Sequence, residues 1–235
     1  MKRTLLSCLA VGALLGGCGS IRPATMALPP ALEAGSERLT ITGLGGAAAG
    51  EFRVGGERGR FGRSASRLAL FDTLYEGDSA VASFAFAPPG EVTARCAMRR
   101  GAAGIGVLTY EFKPMTYTCG FSGAAQPAQM TLAEARSTSR VQSMKRSRTG
   151  EMSLGEVRLQ VRSSHALAGS PIETAAPIGY LFERDGRTVA AVELNGTEPV
   201  IVLRAGSAAD ERQAVTLAGL ALALLWDPQE TGLAD

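Results

Sequence analysis

Histidine and tryptophan are the scarcest side chains here, since 235 residues hold only His165 and Trp226. One histidine and a few cysteines do not make a zinc set, and no Gly-x-Ser-x-Gly turn marks a serine nucleophile. We interpret His165 as an exposed loop residue and Trp226 as a core residue. Aromatic residues make up only 6% of the chain, too few for the stacked platforms of a sugar cleft. The sequence therefore predicts no catalytic residue, metal or cofactor, although an unrecognised hydrolase remains a minor alternative.

A surplus of either charge is also missing. The chain has 24 Lys and Arg against 22 Asp and Glu, and removal of a leader containing Lys2 and Arg3 makes the numbers equal. A dedicated nucleic-acid-binding protein normally carries a strong basic surplus, so we expect no nucleic-acid partner.

One local basic run stands out, because no acidic residue lies between Arg136 and Gly150. It is compatible with contact to anionic lipid head groups. The run is also typical of a solvated loop or of an edge strand protected by charge. We favour this second interpretation over lipid contact. The candidate contact residues are Arg140, Lys145, Arg146 and Arg148.

The N-terminus has the three parts of a secretory signal. Lys2 and Arg3 precede an apolar run from Leu5 to Leu15, and small residues then lead to Cys18. Eleven residues reach about 16 Å as a helix, whereas a membrane-spanning helix needs about 20 residues. The run therefore indicates an export signal rather than a transmembrane anchor.

The segment Leu15-Gly16-Gly17-Cys18 resembles the lipobox of bacterial lipoproteins. The resemblance implies a signal peptide over residues 1–17, cleavage before Cys18, and fatty acylation of Cys18. In Gram-negative lipoproteins the absence of aspartate after the cysteine, here Gly19, implies the outer membrane. Two or more acyl chains hold a protein stably on a bilayer. A plain signal peptide with an incidental cysteine is the alternative.

After cleavage the chain divides into a tether and one domain. Residues 18–36 contain Pro23, Pro29 and Pro30 without strand alternation, which predicts a flexible tether. Residues 37–235 form a single β-rich domain that would face the periplasm.

Two cysteines remain for pairing in an oxidising compartment. Cys96 alternates with Val92, Ala94 and Met98, and Cys119 lies in a similar apolar alternation. Both thiols are therefore expected on the buried side of strands, which favours a Cys96–Cys119 disulfide. Two buried free thiols are the alternative.

Alternating apolar residues and turn signals predict a mainly β fold. The clearest section is a meander over 178–204, with two-residue turns at Asp185-Gly186 and Asn195-Gly196. The stretch from Gly43 to Gly62 is too rich in glycine for its pattern to mark individual strands. Strands are predicted over 38–42, 67–71, 80–87, 91–98, 106–113, 115–121, 155–163, 178–184, 187–194 and 199–204.

A helix is predicted over about 207–226, with Ser207 as N-cap and Asp227-Pro228 as its stop. From Ala214 to Trp226 it carries no charge, so it lacks the wet face of an ordinary surface helix. We expect a barrel-like sheet around this helix, or an open sheet packed against it.

The sequence from Ile178 to Trp226, with its Gly179–Glu193 hairpin, further strand and terminal apolar helix, resembles the end of tubby-like domains, including their LURP-one relatives. The resemblance implies about twelve strands wrapped around the C-terminal helix. We therefore expect a lipid-anchored, non-catalytic domain that binds or scaffolds an envelope component. The alternative is a lipid-binding tubby-like module that contacts anionic head groups.

Overall fold

The computed structural model describes residues 24–70, 75–87, 91–105, 108–135 and 145–230. The predicted signal peptide, Cys18, Arg136 and Arg140 lie outside the described residues. The side chains of 69, 70, 75, 103–105 and 108–112 are likewise not described.

The described chain forms a closed barrel of twelve antiparallel strands, in which each strand pairs with its neighbours in sequence and β1 closes the ring between β12 and β2. This confirms the mainly β fold with a C-terminal helix. The strands are β1 Glu37–Thr42, β2 Ala49–Val54, β3 Glu57–Leu70, β4 Tyr75–Phe86, β5 Val92–Ile105, β6 Leu108–Ser122, β7 Ala128–Glu134, β8 Arg148–Leu154, β9 Val157–Ser164, β10 Gly179–Arg184, β11 Arg187–Glu193 and β12 Val200–Leu203.

The C-terminal helix, α2 (Ala209–Ala223), fills the barrel. Every residue from Ala214 to Leu222 is buried, and these residues share one core cluster with the inward side chains of the strands. Tyr117 of β6 donates a 2.8 Å hydrogen bond to the Ala221 carbonyl. The buried apolar helix predicted from the sequence is therefore confirmed, and the sheet encloses it.

The start of α2 differs from the prediction. Ala208 occupies the N-cap position without a side-chain cap, and the Ser207 hydroxyl donates instead to the Arg204 carbonyl at 3.0 Å. Asp210 and Glu211 do lie in the first turn, where carboxylates complement the positive helix end.

The two ends of the barrel are named by the helix. The mouth is the end where α2 begins, with the strand connections at 55–56, 155–156 and 185–186. The base is the end where α2 finishes, with the connections at 43–48, 165–178 and 194–199. Asp185 and Gly186 have φ of 52° and 74°, as the predicted two-residue hairpin turn requires.

The described part of the predicted flexible tether, residues 24–36, is packed against the barrel, so the prediction is wrong there. Met26 and Leu32 are buried with Leu181 and Val202 on the outer face of β10–β12. The Met26 N–H donates to the Glu193 carboxylate at 2.7 Å. The segment includes the short helix α1 (Pro30–Glu33), which begins at a proline. It is held in place because its apolar side chains cover an outer sheet face that is itself apolar.

Strands β3–β6 continue past their neighbours at the base. β2 pairs with β3 only as far as Gly62, and β6 pairs with β7 only from Thr116 onward. The pairing within the four strands continues to Leu70–Tyr75 and Ile105–Leu108. Pro114 does not end a strand as predicted, because it lies at a bulge opposite Arg100 where no ladder hydrogen bond is needed. We call these extensions the projecting sheet.

Candidate binding cavity and buried charge cluster

The largest cavity among those described opens at the mouth, beside the first turns of α2, and has a volume of about 660 Å³. Its wall is apolar and its rim is polar, a combination common in ligand sites of this size. The wall residues are Leu39, Val54, Phe86, Val92 and Leu217, and the rim includes Glu37, Glu57, Gln126, Asp210, Arg212 and Gln213.

The cavity lies at the weakest seam of the barrel. β1 and β2 pair at only two positions, Ile41–Val54 and Thr42–Arg53. Toward the mouth the strands separate, so that Leu39 of β1 and Val54 of β2 line an opening instead of being covered by a neighbouring strand. Aromatic side chains pack beside the cavity, where the ring of Phe52 stacks on that of Phe86 with centroids 6.0 Å apart.

One ion pair crosses the rim. Both guanidinium Nη atoms of Arg212 donate to the Glu37 carboxylate, which ties the first residue of β1 to α2. This hydrogen bond, more than the small opposing effect of burial, lowers the pKa of Glu37. Both side chains are more than 40% exposed, so the pair positions the rim more than it stabilises the fold.

A second polar site lies at the base, and its centre, formed by Asp227, Arg100 and Arg148, is buried. Asp227, just after α2, accepts two hydrogen bonds from Arg100 at 3.0 and 3.1 Å and one from Arg148 at 2.6 Å. Arg148 also donates to Tyr180 at 3.1 Å and to Glu230 at 2.6 Å, while Arg100 donates to Glu134 at 3.1 Å. We call this set the base cluster.

Burial and charge act in opposite directions in the base cluster. Burial alone would raise the pKa of Asp227, but the hydrogen bonds and charges of Arg100 and Arg148 lower it on balance. Burial likewise disfavours the charged form of Arg148, yet Tyr180, Glu230 and Asp227 raise its pKa. The cluster therefore stays ionised and fastens the chain after α2 to β5 and β8.

His165 is buried, at 7% exposure, and is not the exposed loop residue that the sequence predicted. Its Nδ1 lies 2.9 Å from the Thr174 carbonyl, which can only accept, so Nδ1 carries the proton and Nε2 accepts from Ser163 Oγ at 3.1 Å. Burial, above the neighbouring charges, lowers the pKa of His165.

This serine–histidine contact positions the first residue of β8. Ser163 Oγ also accepts the Arg148 N–H at 2.9 Å, and Ser163 is only 8% exposed. A hydroxyl engaged from two sides and covered from solvent is poorly placed to attack a substrate.

The described residues of the basic run do not form one exposed surface for lipid contact. Arg148 is 1% exposed within the base cluster, so it cannot contact head groups. Lys145 pairs with Glu173, and Arg146 approaches Glu230 at 4.0 Å. Arg140 lies outside the described residues. Each described cation of the run therefore lies within 4.0 Å of a carboxylate of this chain.

The predicted disulfide is confirmed. Cys96 of β5 and Cys119 of β6 lie directly opposite each other, face the interior and are bonded. Trp226, predicted as core, is half-buried beside the guanidinium of Arg63, 4.6 Å from the ring centroid.

Sequence reasoning missed the mouth cavity and the base cluster. One signal was available, since the inward alternation of Val92, Ala94, Cys96 and Met98 continues to Arg100 and predicts an inward charge. Its partner Asp227 is 127 residues away and reads locally as a helix stop. No local pattern joins the two.

Within the described ranges no group of three His, Cys, Asp or Glu side chains is placed to hold a metal ion. In the same part of the chain, no helix combines the length and apolarity needed to cross a membrane. No family model, curated protein or solved structure matches the chain.

Proposed function

We propose that this chain is a lipid-anchored, non-catalytic protein of the bacterial outer membrane whose barrel binds an envelope component in the mouth cavity. The lipobox-like segment ending at Cys18 supports the anchor. The cavity of about 660 Å³ is the observation that carries the binding role, because an apolar wall beneath a polar rim suits an amphipathic molecule.

The structure also supports a binding role over a hydrolytic one. The arrangement closest to a catalytic pair, Ser163 with His165, is buried and fully engaged. The centre of the base cluster, Asp227 with Arg100 and Arg148, is buried and ion-paired, whereas the mouth cavity opens to solvent.

A cavity-filling variant tests the proposal. Leu39→Trp places a large ring in the cavity, and Thr131→Trp places the same ring on an exposed outer position of β7 as its matched control. The probe is dansyl-labelled undecanoic acid, whose emission rises in an apolar site. We expect saturable binding by the parent and by Thr131→Trp, and at least tenfold weaker binding by Leu39→Trp, about 1.4 kcal/mol. Equal binding by all three, or none, would remove the cavity from the proposal.

A second proposal is the tubby-like module that contacts anionic head groups. The twelve-stranded barrel around a C-terminal helix supports it, since the resemblance implies that architecture. Flotation with anionic vesicles tests it through Arg146→Glu, which avoids the buried Arg148. The domain lacking its acyl chains should float with the vesicles and its Arg146→Glu variant should not, whereas indifference of the parent domain to anionic lipid would reject this function.

A further inference from the structure

The outer face of β3–β6 is lined by small, hydroxyl-bearing and basic side chains. Inward residues of these strands, such as Phe61 and Tyr117, are buried, so the alternate residues point outward. We call a set of residues that pair side by side across the strands a row. From the row of Arg60 to the row that pairs Ser66 with Ser79, most outward residues are serine, threonine, glycine or alanine. None of these outward positions is acidic, and all of them belong to the described chain.

Five arginines lie along this surface, which we call the arginine face. Arg60, Arg95 and Arg99 point outward from β3 and β5, and Arg53 of β2 lies directly opposite Arg58 of β3 at the mouth end. Eight residue steps of β3 separate the row of Arg58 from the row of Arg99, so the arginines are spread over about 26 Å along the sheet. The spread suits an extended ligand better than a single small anion.

The positive charge of the arginine face is largely uncompensated. Two carboxylates, Glu51 and Glu91, lie at its mouth end. Glu91 approaches Arg60 at 3.9 Å, and both side chains are more than 60% exposed. Among the described residues, neither Arg95 nor Arg99 forms an ion pair. An external anion can therefore reach these guanidinium groups without displacing a carboxylate of the chain.

The pairing of Arg53 with Arg58 points in the same direction. Like charges directly opposite each other destabilise a pair of strands. The register places these two arginines opposite each other, and both are exposed. The stability of the fold does not account for this arrangement, whereas an anion bound between the two arginines does.

Another outer face of the barrel shows the contrast. On β8–β10, Arg158 pairs with Glu151 at 3.9 Å and Arg162 pairs with Glu183 at 2.6 Å. Both faces expose arginines, but only on β8–β10 are they matched by neighbouring carboxylates.

A shallow groove crosses the arginine face and has a volume of about 480 Å³. It is lined by Arg60 and Arg95 and by the small residues Gly62, Ser83 and Thr93. A guanidinium group donates paired hydrogen bonds to a carboxylate or phosphate, and serine and threonine hydroxyls both donate and accept. The groove therefore offers partners for acidic groups and for hydroxyl groups side by side.

The composition of the face favours one kind of polyanion. Membrane docking inserts large apolar side chains, single-stranded nucleic acids stack on aromatic rings, and protein interfaces have apolar cores. Between the row of Arg60 and the row of Arg99, Val81 is the one large exposed apolar residue. Basic patches also bind acidic polysaccharides such as heparin. A hydrated polysaccharide needs no apolar anchor, and its repeated negative charges match the spaced arginines.

We infer that the arginine face binds an acidic polysaccharide, whose acidic groups contact Arg60, Arg95 and Arg99 while its hydroxyls contact the serine and threonine residues between them. This is a second site on the outer wall of the barrel. It is separate from the mouth cavity and does not depend on acylation of Cys18.

Biolayer interferometry with immobilised polygalacturonate tests the inference on the full chain in a non-ionic detergent. The face variant combines Arg95→Gln and Arg99→Gln. The matched control combines Arg158→Gln and Arg162→Gln, which removes the same charge from exposed positions of β9. We expect the parent and the control to have dissociation constants within about twofold of each other, and the face variant to bind at least tenfold more weakly. Added salt should weaken binding, and neutral dextran should bind none of the three.

A single substitution separates binding from stability. Arg53→Gln removes one of two opposed like charges, so the melting temperature should stay the same or rise while binding to polygalacturonate weakens. A lower melting temperature with unchanged binding would overturn the part of this pair in the site.

Three results would overturn the inference. The first is absence of polygalacturonate binding by the parent. The second is equal weakening by the face and control variants, because overall charge would then govern binding. The third is tighter binding of the parent to immobilised anionic vesicles or single-stranded DNA, lost in the face variant, which would assign the face to that partner.

Discussion

At the scale of single residues, Asp227 is the buried carboxylate that joins two arginines at the base of the barrel. It is 1% exposed and receives hydrogen bonds from two arginines that reach it from different strands. Those guanidinium groups have left water, so their stabilisation depends on the carboxylate remaining present and charged.

Asp227→Asn keeps the side-chain volume and leaves Arg100 and Arg148 without that charge. We expect a loss of about 3–5 kcal/mol in the free energy of unfolding, measured by urea denaturation. Glu37→Gln is the control, because it breaks an exposed ion pair of similar geometry and should cost at most about 1 kcal/mol. Equal losses would show that the base cluster contributes no more than a surface pair.

His165 gives the fold a pH dependence of known sign. Its folded pKa is below the ordinary 6.5, so the unfolded chain binds a proton more readily. The stabilising contribution is therefore fully present above pH 6.5 and decreases as pH falls through that value. Because His165 is the only histidine, His165→Gln should remove the decrease in the free energy of unfolding between pH 7.5 and 5.5. Urea denaturation at a series of pH values measures that decrease. An unchanged slope in the variant would assign the titration to another group.

At the scale of elements, the disulfide joins two neighbouring strands that already pair in register. Cys96→Ala with Cys119→Ala opens a loop whose ends are 23 residues apart, which predicts a loss of about 3 kcal/mol in the chain-entropy model. Calorimetry of the oxidised parent and the double variant measures it. Equal stabilities would show that the cross-link does not stabilise the fold by restricting the unfolded chain.

The central helix provides a sharper test of the architecture. Leu220 is 0% exposed inside the barrel, so Leu220→Asp buries a carboxylate without a partner and should abolish cooperative unfolding at 25 °C. The control is Gln213→Asp, because Gln213 is half-buried near the start of the same helix; this variant should retain a normal melting transition. A normal transition for Leu220→Asp would be incompatible with the enclosed helix.

The elements predicted best from sequence are those with local signals. The Asp185-Gly186 turn, the alternation of Val157, Leu159 and Val161, and the uncharged stretch of α2 each indicate their own structure. By contrast, β2, β7 and β8 were not predicted. The β11–β12 connection, 194–199, is also one residue longer at each end than the predicted 195–198, because Glu193 ends β11 and β12 begins only at Val200.

At the scale of the whole molecule, the sites arise from closure of the ring. The mouth cavity exists because β1, which closes the ring by pairing with β12, pairs with β2 at only two positions. The base cluster joins residues from β5, β8 and the end of the chain. Neither could be predicted from sequence, since both depend on which distant strands become neighbours.

The N-terminal segment connects the barrel to its proposed surroundings. Because residues 24–36 pack on β10–β12, only a short length of chain separates the barrel from Cys18. The position of the barrel relative to the membrane therefore depends on the proposed acylation of Cys18.

Mass spectrometry of the protein purified from bacterial membranes gives the decisive test of the proposed anchor. We expect an N-terminal peptide that begins at Cys18 and carries a thioether-linked diacylglycerol and an amide-linked acyl chain. Detection of the intact leader from Met1, or of an unmodified N-terminus at another residue, would contradict it.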